Sequence, residues 1–259
     1  NCLGTQCPHH EECFYYRARR RVRRAQILVV NHALFFSDLA LRRVGASILP
    51  DYQVAVLDEA HMLESVAGDH LGVRVTSGQV EYQLNKLYNE VRNKGLLVHH
   101  KCAEGQRAVM ECRLASDDFF GRLEEWRQTA GPKNGRVNAA SVVENPLSPH
   151  LVHLARLVKS FAGKLSQESD RLDLTSAHDR LTALAEGVEQ WRTQALDDLV
   201  YWTDVRHNRR SKSNMALHAA PIDVGPALRA ELFERVGTVV LTSATLAVGK
   251  QTSFDFFRS

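Results

Sequence analysis

The spacing of apolar residues changes twice along the chain, and these changes divide it into three regions. In the first region, the short apolar runs 27–30 and 54–57 are typical of strands covered on both faces in a parallel sheet. Between them, apolar residues at helical spacing predict a helix over residues 33–43. The order strand, helix, strand predicts a βαβ unit.

The second region, from about residue 72 to residue 206, is predicted to be mostly helical. Apolar residues recur at helical spacing over 80–91, 108–126, 149–165 and 181–201, and strand-like runs are few. Residues 129–149 are rich in Gly, Pro, Asn and Ser, which predicts a loop. After residue 213 the α/β pattern returns, with strands predicted over 215–221 and 236–241 and a helix over 226–233. An α/β domain with a large helical insertion is therefore expected, and such insertions are usually functional.

The positive charge of the chain is concentrated near its beginning. The formal net charge is +3, but residues 1–24 alone carry +4. A concentrated basic segment suits a polyanion, because each neutralised phosphate releases counterions; a solvated helix face is the alternative. Two basic segments supply the candidate phosphate contacts, which are Arg17, Arg19, Arg20, Arg21, Arg23 and Arg24, and then Arg209 and Arg210.

Five cysteines are present, and three of them, Cys2, Cys7 and Cys13, lie close together at the beginning. Thiolates are the ligands preferred by zinc and by iron–sulfur clusters, and the spacing leaves both open, with unliganded buried cysteines as a lesser alternative. Cys102 and Cys112 are expected to be core or surface residues. The histidine pairs 9–10 and 99–100 show no metal-binding spacing and are expected to be solvated.

Asp58 and Glu59 directly follow the apolar run 54–57. Ligands of an open parallel sheet bind outside the carboxyl ends of its strands. Nucleotide hydrolysis needs one carboxylate to hold Mg²⁺ and another to orient or activate the attacking water, and Asp58 and Glu59 suit these roles in that order. His61 is a candidate sensor that communicates between the nucleotide and a neighbouring motif. An acidic loop without catalytic function is the alternative.

Two motifs in this order resemble those of superfamily 2 helicases. The run Val54-Ala55-Val56-Leu57 with Asp58-Glu59-Ala60-His61 resembles the Walker B, or DEAH, box. The run Val239-Val240-Leu241 with Thr242-Ser243-Ala244-Thr245 resembles the Ser-Ala-Thr motif, which in that superfamily links ATP hydrolysis to strand movement. The resemblance implies a coupling role for Ser243, Ala244 and Thr245.

The order of cysteines, arginines, Val-Val-Asn-His and DEAH box resembles the DinG/XPD family of iron–sulfur helicases, and the bacterial DinG-like branch in particular. This resemblance implies a RecA-like motor domain over 25–71 and 206–259, an arch-like helical insertion over 72–205 and an iron–sulfur segment over 1–24. It also implies a [4Fe–4S] cluster on Cys2, Cys7 and Cys13 with a fourth cysteine upstream, Mg²⁺, and ATP as substrate. Single-stranded and forked DNA are the implied partners, with 5′-to-3′ polarity and a role in DNA repair.

The chain departs from the family pattern in ways that predict a fragment. It has no G-x-x-x-x-G-K-[ST] loop to cradle phosphates, and it lacks the motifs of the second motor domain. Negligible ATPase activity is therefore expected of these 259 residues alone. A zinc-containing nucleic-acid-binding module without catalytic activity is the alternative, and a fused nuclease domain outside the chain stays open. No run approaches the ~20 apolar residues of a spanning helix, so a cytoplasmic location without membrane contact is expected.

Overall fold

The computed structural model describes residues 7–43, 47–196, 198–207 and 213–246. The chain divides into two compact units. Among the described residues, one unit runs from Val73 to Ala220, and the other combines the preceding residues with those that follow from Pro221. None of the described helices is both long enough and apolar enough to cross a membrane.

The unit formed by the described residues before Val73 and after Ala220 is an α/β structure around a parallel strand pair. Its helices are α1 (Phe14–Arg24), α2 (His32–Arg43), α3 (Leu63–Leu71) and α9 (Gly225–Leu228), and a π-helical turn, Arg229–Phe233, follows α9. Strand β1 (Val54–Leu57) pairs in parallel with β5 (Thr238–Leu241), residue for residue without offset. The parallel sheet and the mixed α/β class expected from the sequence are therefore confirmed.

One face of β1 is covered and the other is exposed. Ala55 and Leu57 are buried, whereas Val54 and Val56 are 56% and 64% exposed. The expectation that this strand is covered on both faces is therefore wrong for the described residues. Alternate burial follows from the two-residue repeat of a strand, since only one set of side chains faces the helices.

The predicted strand over residues 27–30 is also wrong. These residues are irregular, and Ile27 and Val29 are 83% and 95% exposed, while Leu28 and Val30 pack on the core of the unit. A strand requires a ladder partner, and within the described residues β1 has β5 as its single neighbour. Helix α2 begins one residue before its predicted start and ends where predicted.

The second unit is mostly helical, as expected. Its helices are α4 (Ser77–Leu87), α5 (Leu96–His99), α6 (Ala103–Thr129), α7 (Leu147–Ala162) and α8 (Glu168–Thr193). A capping box begins α4, in which Thr76 and Gln79 satisfy each other's backbone N–H groups. Long helices α6, α7 and α8 pack around one apolar core that includes Phe119, Leu151 and Leu181, all fully buried.

A three-stranded sheet that the sequence pattern did not predict completes this unit. Strands β2 (Val73–Thr76), β3 (Leu199–His207) and β4 (Ser213–Pro221) lie in the order β2-β4-β3, with β2 and β4 antiparallel. The helix predicted over 181–201 ends at Thr193, and its last residues belong to β3. The strand predicted over 215–221 exists, but it pairs with β2. The compact units therefore separate after Ala220, not at the predicted residue 206.

Candidate active site

The parallel register of β1 and β5 brings the residues that follow the two strands together. Leu57 pairs with Leu241, so Asp58 and Thr242 leave the sheet side by side. The Thr242 hydroxyl donates a hydrogen bond to Asp58 Oδ1 over 2.6 Å, and the Thr242 N–H donates to the Leu57 carbonyl over 2.9 Å. The box and the Ser-Ala-Thr segment, 184 residues apart in sequence, therefore form one site.

A second set of contacts joins Glu59 and His61 to Ser243. His61 Nδ1 lies 2.9 Å from Ser243 Oγ and 3.3 Å from Glu59 Oε2. The Ser243 hydroxyl lies 3.5 Å from the same Glu59 oxygen, at the limit of hydrogen-bond distance. Carboxylate, imidazole and hydroxyl thus share one small volume, with the Glu59 and His61 side chains still 58% and 44% exposed.

The backbone of the box fixes this arrangement. Glu59 adopts a left-handed conformation, with φ 51° and ψ 48°, which is uncommon for a residue with a Cβ atom. The next residue, Ala60, is buried, and its N–H donates to the Thr242 carbonyl over 2.9 Å. A 3₁₀ turn, Ala60–Met62, then carries His61 back towards Ser243. Strained residues of this kind cluster at ligand and catalytic sites.

The surroundings of Asp58 favour its charged form. The hydrogen bond from the Thr242 hydroxyl lowers the pKa of Asp58, and a backbone N–H at Glu59 and the nearby His32 add to this effect, while slight desolvation opposes it. The carboxylate is exposed and is ionised at neutral pH. An exposed, ionised oxygen ligand fits Mg²⁺, which favours carboxylate and water oxygens.

The rest of the Ser-Ala-Thr segment forms a local turn. The Thr245 N–H donates to Ser243 Oγ over 3.3 Å, and the two hydroxyl oxygens lie 3.3 Å apart. Ala244 is exposed between them. Ser243 is therefore the member of the predicted coupling set that contacts the acidic box.

The structure describes the cysteine segment in part. Cys2 lies outside the described residues, while Cys7 and Cys13 are half-buried free thiols. A compact turn joins these two, since His10 N–H donates to the Cys7 carbonyl and Cys13 N–H to the His10 carbonyl, over 2.9 and 3.4 Å. His10 itself is half-buried against Tyr16, with ring centroids 4.2 Å apart, and is not solvated as expected. Two free thiols held by one turn fit a thiophilic metal or cluster.

The predicted arginine contacts on helix α1 fall into two groups, those with a local hydrogen-bond partner and those that are exposed. Arg19 donates to the Tyr15 hydroxyl over 3.0 Å, and Arg20 donates to the Glu11 carbonyl over 2.8 Å. The other four are exposed, and three of these share one face at helical spacing. That face also carries Phe14, which is 87% exposed, and its basic residues are Arg17, Arg21 and Arg24. The predicted contacts Arg209 and Arg210 lie outside the described residues.

Two residues of the site did not follow from motif matching. Thr242 holds Asp58, and its position as the first residue after β5 becomes informative once in-register parallel pairing with β1 is assumed. His32 begins α2, directly after Asn31, whose side-chain oxygen accepts from the Leu34 N–H over 2.8 Å and caps the helix. The sequence feature that indicates His32 is its position shortly after the apolar run 27–30, just as Asp58 follows the apolar run 54–57.

Comparison with known proteins gives matches that include the residues of the candidate site. The family model DEAD_2 matches residues 2–80, a segment that contains the cysteines, α1 and the acidic box. The ATP-dependent DNA helicase YoaA of Haemophilus influenzae is 28% identical over 96% of this chain. The 3′-5′ exonuclease DinG of Bacillus subtilis is 24% identical over 94% of it, and the ATP-dependent DNA helicase DinG of Salmonella typhimurium 25% over 95%.

The chain is similar to DinG and YoaA proteins over nearly its whole length. The family resemblance drawn from the cysteines, the arginine run and the two motifs is thereby confirmed. The chain spans 37% of the YoaA sequence, 29% of the Bacillus DinG sequence and 38% of the Salmonella one. The similarity to these relatives covers both compact units, because the alignments extend over nearly the whole chain.

Proposed function

We propose that this chain is part of an ATP-dependent DNA helicase that moves 5′-to-3′ along single-stranded DNA. The observation that carries the proposal is the site formed where β1 and β5 end, in which Asp58 binds Thr242 and both Glu59 and His61 contact Ser243. Two of the relatives support it, since they are named ATP-dependent DNA helicases and both are longer than this chain.

In the proposed reaction, Asp58 would hold Mg²⁺, which neutralises charge on the ATP phosphates. Asp58 is suited to this because its lowered pKa keeps the carboxylate ionised. Glu59 orients the attacking water and accepts its proton, and its exposed carboxylate oxygens are open to solvent for this purpose.

His61 and Ser243 form the proposed coupling between hydrolysis and movement. His61 Nδ1 contacts both Ser243 Oγ and Glu59 Oε2, so a change at the Glu59 carboxylate alters the partners of Ser243. Ser243 lies two residues after the end of β5, which makes β5 the element that would shift. This chain alone would not turn over ATP, because it contains no Gly-rich phosphate-cradling loop.

The test of the catalytic assignment uses the full-length helicase that would contain this chain. Glu59→Gln should retain ATP binding and lower kcat for DNA-stimulated hydrolysis by roughly 10²–10⁴-fold, because proton transfer by a positioned carboxylate contributes about this much. Glu64→Gln, on the exposed face of α3, is the matched control and should keep wild-type hydrolysis. Wild-type turnover by Glu59→Gln would exclude Glu59 as the base.

Ser243→Ala separates coupling from chemistry. The expected result is fewer base pairs unwound per ATP hydrolysed, whereas Glu59→Gln lowers both rates together. An unchanged ratio in Ser243→Ala would contradict the proposed coupling through His61.

The exposed face of α1 is the proposed DNA contact. Three arginines and an aromatic ring on one helical face offer phosphate binding and base stacking together. Replacing Arg17, Arg21 and Arg24 by Gln should reduce the salt dependence of single-stranded DNA binding by a slope of about 2, since each phosphate contact contributes about 0.7. Arg19→Gln with Arg20→Gln is the control, because local partners already occupy these side chains. Equal losses in both variants would contradict the assignment.

The proposed iron–sulfur ligands are Cys2, Cys7 and Cys13, with a fourth cysteine outside the chain. A bound [4Fe–4S] cluster would hold the segment together, as metal binding contributes directly to folding. Anaerobically purified full-length protein should be brown and contain iron and sulfide, and Cys13→Ser should remove both. Cys102→Ser is the control, because Cys102 stands at the N-cap of α6, where serine is favourable. A colourless protein with stoichiometric zinc would instead indicate the zinc-containing module.

A further inference from the structure

A histidine pair and an aspartate lie close together in the helical unit. His99 ends α5, His100 follows it, and Asp170 lies in the first turn of α8. One ligand atom from each side chain lies within 4.8 Å of the other two. Within the described residues, these three form the single such group of metal-binding side chains.

The end of α5 directs both imidazoles to the same side. Lys101 adopts a left-handed conformation with φ 53°, its N–H donates to the Val98 carbonyl over 3.0 Å, and Cys102 N–H donates to the Leu97 carbonyl over 2.8 Å. This pair of bonds is a Schellman motif, which normally has glycine at the left-handed position. A lysine there costs conformational energy, of order 1 kcal/mol or more, and the fully buried Leu97 helps to hold the turn.

Packing limits the movement of His100 in particular. Its side chain is 10% exposed, and its ring contacts His99 with centroids 4.7 Å apart and lies 6.3 Å from Phe161. His100 Nε2 lies 3.9 Å from Asp170 Oδ2, which is too long for a hydrogen bond. The expectation that this histidine pair is solvated is therefore wrong for His100.

The separations suit a shared ion. Ligand atoms around a tetrahedral ion with bonds of about 2.1 Å lie about 3.4 Å apart. His100 Nε2 and Asp170 Oδ2 are 3.9 Å apart, and a small side-chain rotation would bring them to this separation. His99 is exposed and free to close the remaining gap, because its side chain is at the surface.

We propose that His99, His100 and Asp170 bind one divalent transition-metal ion of the zinc class. Two imidazoles and a carboxylate match the ligands of zinc, cobalt and nickel, whereas Mg²⁺ and Ca²⁺ favour oxygen ligands alone. The ion joins α5 to the start of α8, two elements that are separated by the long helices α6 and α7 in sequence. Three protein ligands leave a fourth position for water or an external ligand.

The test is a titration of the 259-residue chain with Co²⁺ and Zn²⁺. Cys2, Cys7 and Cys13 are first replaced by Ser, which removes the proposed thiolate ligands. One Co²⁺ per chain is expected, with visible d–d absorption and without the intense near-ultraviolet band of a thiolate–cobalt bond. Zn²⁺ should displace the cobalt and raise the melting temperature of the chain, because an ion that binds the folded state stabilises it.

Variants decide whether these three residues are the ligands. His100→Ala and Asp170→Asn should each weaken Zn²⁺ binding by at least about 10-fold, since even loss of an outer-shell partner has this effect. His153→Gln, an exposed histidine on α7, is the matched control and should bind as before. His99→Ala gives a second test on an exposed side chain, where folding is not at risk. The absence of a bound ion, or equal binding by all variants, would overturn the proposal.

The outcome is independent of the nucleotide site. The metal-site proposal concerns residues of the helical unit, and its test measures metal binding. Loss of ATP hydrolysis in Glu59→Gln would therefore not affect it. Loss of metal binding in His100→Ala with normal ATP hydrolysis would equally leave the helicase proposal intact.

Discussion

The two units of this chain differ in how completely their strands are covered. In the helical unit, Val75 of β2 is 3% exposed and lies so close to α8 that a Cβ atom on Gly187 would approach its Cγ2 atom to 2.7 Å. In the unit with the candidate active site, Val54 and Val56 of β1 are more than half exposed. The candidate active site therefore lies at the end of a strand with one exposed face, and polar contacts such as that between Thr242 and Asp58 position its side chains.

The largest effect is expected from the core of the helical unit. Trp191 is buried on α8, and its Nε1–H donates to the His218 carbonyl of β4 over 3.0 Å. Trp191→Ala should lower the free energy of unfolding of this unit by about 4 kcal/mol, because it creates a cavity and removes this bond. Denaturant unfolding followed by hydrogen exchange resolves each unit. Leu114→Ala, at a 72% exposed position on α6, should change stability by less than about 0.5 kcal/mol.

A buried carboxylate gives the corresponding test of the other unit. Asp38 is fully buried on α2, accepts bonds from the Ile48 and Leu49 N–H groups, and pairs with Arg42 over 2.7 Å. Asp38→Ala should cost about 3 kcal/mol, since it leaves a partly buried charge and two donors without a partner. Exchange protection of β1 and β5 should fall while that of α6–α8 stays unchanged.

Asp51→Ala is the matched control for that variant. Asp51 also binds Arg42, over 2.8 Å, but its side chain is 98% exposed. Its replacement should cost less than about 1 kcal/mol, because solvent screens exposed ion pairs. Equal costs for the two variants would show that burial of Asp38 is not what stabilises the unit.

The close approach of α8 to β2 predicts a smaller effect. Gly187→Ala should cost about 1–3 kcal/mol, because the added methyl group meets Val75, whose branched side chain cannot easily turn away. Val75→Ala should restore part of this loss in a double-mutant cycle. Gly121→Ala on α6, where no atom lies within 4 Å of an added Cβ atom, should instead stabilise the chain by about 0.5–1 kcal/mol. A destabilised Gly121→Ala variant would contradict this comparison.

The smallest effect concerns the site itself. Thr242→Val removes the hydroxyl that lowers the pKa of Asp58, so this pKa should rise towards its ordinary value. A lowered pKa contributes stability above the unfolded-state pKa, and this contribution is lost as the pH falls through the folded-state pKa. The variant should therefore lose less stability than the wild type on acidification. Carboxyl NMR titration measures the shift, and Thr238→Val in β5 is the control that should leave it unchanged.

Local patterns predicted those features that depend on neighbouring residues. Strand β1 and helix α2 followed from apolar spacing, and Asp58 followed from where the apolar run 54–57 stops. Each of these features is determined by a stretch of about a dozen residues, so it can be predicted from a single sequence.

Features that depend on distant pairing were not predictable in this way. Strand β3 continues the apolar residues of α8 past Thr193, and only its place in a sheet with β4 distinguishes it from more helix. Residues 27–30 have the composition of a strand but lack a partner among the described residues. The proximity of His100 to Asp170 likewise depends on how α5 and α8 pack. This packing cannot be predicted from the local sequence around either residue.

The parallel pairing of β1 with β5 also has a consequence for synthesis on the ribosome. Asp58 emerges 184 residues before its partner Thr242, an interval of roughly 10–40 s at 5–20 residues per second. During this time β1 lacks β5, and the edge that β5 will cover stays open to pairing with other strands. The whole helical unit is completed in the same interval, so a ribosome pause after residue 220 would lengthen the exposure of β1 without affecting that unit.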